Sequence, residues 1–107
     1  MMKIVLRIDG KDKTFTNDFV SAYHTRKAAE INRGILSGKL DEEEVENKII
    51  DFVVDLFEGQ FTVEEALKGT RGEEFVDVFI GVYRRALRLG TGVQVDEDSE
   101  KDEEPGK

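Results

Sequence analysis

The sequence predicts an α+β fold that is mainly α: an N-terminal β-hairpin packed on a bundle of three long helices plus one short helix, then a disordered acidic C-terminal tail. Hydropathy patterning carries most of this. The first residues alternate apolar and polar with a period of two, whereas from about residue 19 to residue 90 apolar residues recur at helical spacing. Within that helical region Asp or Thr followed three residues later by Glu marks three expected helix starts. At 107 residues the chain suits one folded domain, placed at 1–92, with 93–107 as the tail.

The hairpin spans residues 3–17. Ile4, Leu6 and Ile8 point one way and Lys3, Val5 and Arg7 the other, and Asp9-Gly10 supplies a turn in which positive φ is tolerated. Phe15 is the expected inward anchor of the returning strand. A lone hairpin is marginal in water, so this one must pack on helices or pair with another chain.

Thr16, Asn17 and Asp18 are candidate N-caps for a first helix over about 19–36, with Tyr23, Ala28, Ile31 and Ile35 as candidate buried positions. Its apolar stripe is thin and rich in alanine, and Gly34 and Gly38 blunt its end. Asp41 with Glu44 opens a second helix over 41–58, which Gly59 stops. Thr62 with Glu65 opens a short helix over 62–68. Thr70 with Glu73 opens a last one over 72–89, stopped by Gly90. The terminal run "DEDSEKDEEPGK" holds no apolar residue and cannot offset its own ordering entropy.

The net charge is −8. Residues 96–107 hold seven carboxylates against Lys101 and Lys107, so −5 belongs to the tail and −3 to residues 1–95. This balance argues against a sequence-independent grip on nucleic acid, which needs clustered Lys and Arg. There is no cysteine, hence no disulfide and no thiolate chemistry. No apolar run approaches the ~20 residues of a membrane span, and the early Asp9 is unlike a signal peptide. A cytoplasmic protein bound to neither membrane nor nucleic acid is expected.

Two helices carry more apolar surface than one buried face requires. On a 100° wheel with Val45 at zero, Ile49, Phe52, Val53 and Leu56 fall between about −20° and 80°. Ile50, Val54 and Phe57 form a second stripe between about 120° and 180°. In the last helix Phe75, Val76, Val78, Phe79, Val82, Tyr83, Ala86 and Leu89 spread over about 180°, and Ile80 and Leu87 widen the arc. A surface helix needs only about 100°. Either both helices sit centrally and touch neighbours on two sides, or one stripe is covered by another chain. On the second reading Ile50, Val54, Phe57, Phe61, Ile80 and Leu87 are the partner-binding candidates.

Catalytic chemistry is not indicated. His24 is the sole histidine and reads as a surface or packing residue. The acidic run 41–46 suits the positive end of a helix dipole better than a metal. The glycines have neither phosphate-loop nor dinucleotide spacing. Arg84, Arg85 and Arg88 gather on one side of the last helix, as a solvated face or as a partner for the acidic tail. No enzyme, cofactor or metal is expected.

"KIVLRIDGKDKTFTNDFVS" near the start and "DFVVDLFEGQFTVEEAL" in mid-chain resemble the tail assembly chaperones of long-tailed bacteriophages, closest to small versions from phages and prophages of Gram-positive bacteria. The likeness covers about residues 3–90, and the mid-chain block is its more specific part. It implies a protein that binds the tape measure protein, keeps it soluble while the tail tube assembles, and is absent from the virion. It also implies self-association and a longer form made by programmed frameshift. Pro105-Gly106-Lys107 can be encoded with a G-GGA-AAR heptamer, which would permit a one-base slip there. Two other classes remain open: a small acidic inhibitor or DNA mimic, and a structural tail terminator or connector.

Overall fold

A computed structural model describes residues 2–91; the tail expected over 93–107 lies outside the described residues. The chain runs through β1 (Met2–Ile8), β2 (Lys11–Asn17), α1 (Ala22–Leu36), α2 (Glu42–Leu56) and α3 (Val63–Gly69). A 3-10 turn (Gly72–Glu74), a π-helical segment (Val76–Ile80) and α4 (Gly81–Thr91) follow. The protein is mainly helical with an N-terminal two-stranded antiparallel sheet.

β1 and β2 pair from Met2↔Asn17 to Ile8↔Lys11. Asp9 and Gly10 join them with φ of 55° and 76°, the succession of positive values that a primed two-residue turn needs. Met2, Ile4 and Leu6 are buried, and Lys3, Val5 and Arg7 are exposed, as strand alternation dictates.

The first helix starts three residues later than the sequence suggests. Its cap is Ser21, whose Oγ accepts the His24 backbone N–H at 3.2 Å. Asn17 serves elsewhere: its Oδ1 accepts the Phe19 N–H at 2.6 Å, and its Nδ2 donates to the Leu56 carbonyl. That carbonyl is among those a helix C-terminus leaves unpaired. Gln60 adds a second tie, Nε2 donating to the Thr16 carbonyl at 2.9 Å. Together they hold the end of the hairpin to the corner between α2 and α3.

Both expected capping boxes at α2 and α3 are present, Asp41 with Glu44 and Thr62 with Glu65. α2 ends at Leu56, and the Gly59 N–H reaches back to the Val54 carbonyl at 3.0 Å. Glu58 and Gly59 both have positive φ there, the left-handed exit common at helix ends.

The third capping box does not form. Thr70 instead closes α3, its Oγ1 donating to the Ala66 carbonyl at 2.8 Å, and the 3-10 turn starts at Arg71 without a side-chain cap. Nor is the last stretch a single helix. A π turn takes in roughly one residue more than the 3.6 of an α-helix, so side chains on either side of it change phase. Phe75 and Phe79 stack at 5.3 Å, and Phe79, Tyr83 and Ala86 are buried. The fixed 100° wheel therefore overstated the apolar width of this segment. Gly90 does not stop the helix, which runs on to Thr91. A Cβ on Gly90 would lie 2.5 Å from Thr25 Cβ, so this residue lets α4 approach α1.

α2 is the central element. It packs against α1, α3, the π segment and α4, while α1 packs on α4 and α3 on β1. The largest fully buried side chains are Phe57, Phe61, Phe79, Ile4, Leu6, Leu56 and Val53.

Glycine positions provide a test of this packing. A Cβ on Gly69 would sit 2.9 Å from the Arg7 carbonyl oxygen and 3.0 Å from Leu6 Cβ. Gly69→Ala is expected to lower stability by about 1–3 kcal/mol through overpacking against strand backbone. Gly81→Ala, where nothing lies within 4 Å, is expected to raise it by about 0.5–1 kcal/mol. Urea midpoints of the two variants check both signs.

Candidate functional site

The expected partner-binding residues do not form one exposed stripe. Ile50, Phe57 and Phe61 are 2%, 0% and 1% exposed. The Phe57 and Phe61 rings meet at 5.6 Å, and Phe61 meets Phe15 at 5.1 Å. These three residues are core: the first of the two readings of the wide arc, a helix with neighbours on several sides, describes α2. Val54, Ile80 and Leu87 are half-buried against that core and retain some surface.

The larger exposed apolar residues lie elsewhere: Val5, Phe19, Tyr23, Leu36, Leu67, Val76 and Leu89. Tyr23 was expected inside and is 59% exposed. The signal was in the wheel: Tyr23 falls about 140° from Ala28, the centre of the thin stripe that α1 buries.

Tyr23 stands beside a groove between α1 and α2. The helices run antiparallel, since His24 near the start of α1 meets Asp55 near the end of α2. At the other end Leu40, in the connecting loop, reaches under Gly34, its Cδ1 3.3 Å from where a Cβ would be. The groove encloses about 580 Å³, with Tyr23, Ile31, Leu40 and Phe52 as its apolar lining. Lys27, Glu30, Lys48, Asp51 and Asp55 give it a rim of both signs. Phe52 is 3% exposed and is backed edge-on by Tyr83 at 6.0 Å, so this side of the groove is firm.

His24 sets the spacing of the two helices. Its Nε2 lies 3.1 Å from Asp55 Oδ2, its Nδ1 2.9 Å from Ser21 Oγ, and its ring packs edge-on to Phe52 at 6.2 Å. A proton on Nε2 satisfies the set: Nε2–H donates to Asp55 and the Ser21 hydroxyl donates to Nδ1. Ser21 Oγ simultaneously caps α1. Ser21, His24 and Asp55 thus tie the start of α1 to the end of α2.

A family model described as phage tail chaperone protein matches residues 1–107. The chain belongs to that family. No curated protein and no solved structure gave a significant match. Among the described residues of this tail chaperone, no helix is long and apolar enough to cross a membrane. No group of three or more His, Cys, Asp or Glu could hold a metal ion among them either.

Because Phe57 belongs to the core, Phe57→Ala is expected to cost the tail chaperone about 3–5 kcal/mol. Tyr23→Ser is expected to change stability by no more than about 0.5 kcal/mol. Thermal or urea unfolding separates the two.

The Tyr83 hydroxyl is buried and finds no hydrogen-bond partner among the described residues. Burial pushes its pKa up, and Arg84 pulls more weakly the other way. As pH rises past about 10, the unfolded chain releases this proton before the folded one. Stability is therefore full below that range and falls as pH climbs toward the raised folded-state value. Tyr83→Phe is expected to leave neutral-pH stability equal or raise it by about 1 kcal/mol, and to flatten the alkaline loss in urea titrations at pH values on either side of that range.

Proposed function

We propose that this tail chaperone binds the tape measure protein and keeps it soluble during tail tube assembly, without catalysis and without being retained in the virion. It acts in the host cytoplasm as a homo-oligomer, together with a longer frameshifted form of itself. The observation that carries the reading is the α1–α2 groove. It combines an apolar lining, exposed Tyr23 at its edge and a rim of mixed charge. A groove of that character suits the apolar face of an amphipathic helix, and its volume lies within the usual range of binding clefts, roughly 300–1,000 Å³.

Family membership supports the same reading. One such groove receives only a few side chains, so each contact is weak. A long helical client offers many equivalent segments, and several chaperones in one oligomer would gain from effective concentration. Half-buried Val54, Ile80 and Leu87 are candidates for contact with sister copies or with the client.

The test is co-expression with the tape measure protein. Burying one large side chain contributes about 1.5–3 kcal/mol, so Tyr23→Asp or Leu40→Asp is expected to weaken client binding about 10- to 100-fold. Circular dichroism should confirm that each variant stays folded. Unchanged client solubility with folded variants would remove the groove from the proposal. Binding that collapses with added salt would favour an acidic mimic, and recovery of the protein from purified virions would favour a structural tail component.

A further inference from the structure

The continuous helical stretch from the 3-10 turn through α4 divides its charges by position. Residues 72–80 hold Glu73, Glu74 and Asp77 and no cation, whereas residues 81–91 hold Arg84, Arg85 and Arg88 and no anion. Contacts with a helix dipole fade within the first and last turn, and Asp77 and Arg84 lie farther in than that. None of the ion pairs among the described residues involves Asp77, Arg84 or Arg85.

Gly81 sits where the two halves meet. Its backbone is ordinary α-helix, φ −61° and ψ −44°, so no turn requires a glycine there. No other part of the fold lies within 4 Å of where its Cβ would be, in contrast to Gly69 and Gly90, so no neighbour requires one either. Glycine inside a helix destabilises relative to alanine, and nothing within the described fold offsets that. The surface around it is open: Val76 is 55% exposed, Asp77, Gly81 and Arg84 are exposed, and Ile80 and Leu87 are half-buried. This face has apolar flanks, a bare backbone at its centre, acid at one end and base at the other.

We propose that this face pairs with the same face of a second copy, the two helices crossing antiparallel about a two-fold axis between Ile80 and Gly81. A two-fold contact is self-complementary: what each copy offers, the other returns. With the axis there, Asp77 of each copy faces Arg84 of the other, so both ends of the contact set acid against base. A parallel arrangement would set acid on acid. Gly81 lets the backbones approach, and Val76, Ile80 and Leu87 are covered from both sides. The pairing rests on the self-association proposed above and gives it a surface; it does not involve the α1–α2 groove or a client.

Sedimentation equilibrium of the full chain tests it, with circular dichroism to check that each variant stays folded. Asp77→Arg and Arg84→Asp are each expected to weaken the dimer about 10- to 30-fold, because both ion pairs of the contact turn repulsive. Mixing the two variants is expected to restore association as a heterodimer, since every acid again meets a base. Gly81→Ala is expected to weaken the dimer at least fivefold while raising the stability of the monomer, opposite signs that a purely internal role would not give. A chain monomeric at every concentration would overturn self-association itself. A dimer that ignores the single substitutions would leave self-association standing and overturn this surface. So would a dimer weakened by Arg84→Asp but not rescued by mixing, the result expected if Arg84 binds carboxylates elsewhere.

Discussion

Everything in this fold turns on the corner after α2, where Phe57 is wholly buried. Its ring meets Phe61, Phe61 meets Phe15, and so three aromatic residues from the corner and β2 become one apolar contact. Two amide side chains hold that corner in place, Asn17 on the Leu56 carbonyl and Gln60 on the Thr16 carbonyl. A two-stranded hairpin has no independent stability. Here it acquires stability by laying Met2, Ile4 and Leu6 on the helices. The reversal also requires Glu58 at a φ of 59°, a conformation that non-glycine residues seldom adopt, which shows how firmly the surroundings impose it.

Centring the core on α2 has consequences for the outside. A small domain has little interior to share, and α2 turns most of both apolar stripes toward the neighbours that surround it, leaving Val54 half-buried. Ile50, which could have faced a partner, faces this chain instead. α1, by contrast, buries only Ala28 and Ile31 and leaves Tyr23 and Leu36 outside. The groove beside Tyr23 exists because α1 packs closely on α4, where Gly90 permits contact with Thr25, while on the α2 side His24 and Asp55 span the gap. A tail chaperone organised this way separates the surface that stabilises it from the surface available to other chains.

The π segment has a part in the same division. By changing the helical phase between Phe75 and α4 it brings Phe79, Tyr83 and Ala86 inward. Val76 is left exposed, and Tyr83 backs the Phe52 side of the groove. The cost is a buried hydroxyl without a partner among the described residues. Such turns interrupt otherwise regular helices, and this one immediately precedes the turn of α4 whose Tyr83 backs Phe52.

Local chemistry was legible in the residues themselves. Alternation and Asp9-Gly10 determined the hairpin, whose strands adjoin through a two-residue turn, and Asp41 with Glu44 and Thr62 with Glu65 determined two helix starts through contacts within four residues. Signals that depend on distant neighbours were not legible. Asn17 looked like a cap but bonds across the fold to Leu56, Thr70 looked like a start but closes α3, and Gly90 looked like a stop but admits Thr25. The breadth of the apolar arcs was plain in the sequence, yet periodicity states only how much surface avoids water. Whether the same chain or another one covers it depends on how many elements surround a helix, and only the tertiary packing decided that for Ile50, Phe57 and Phe61 on one side and for Tyr23 on the other.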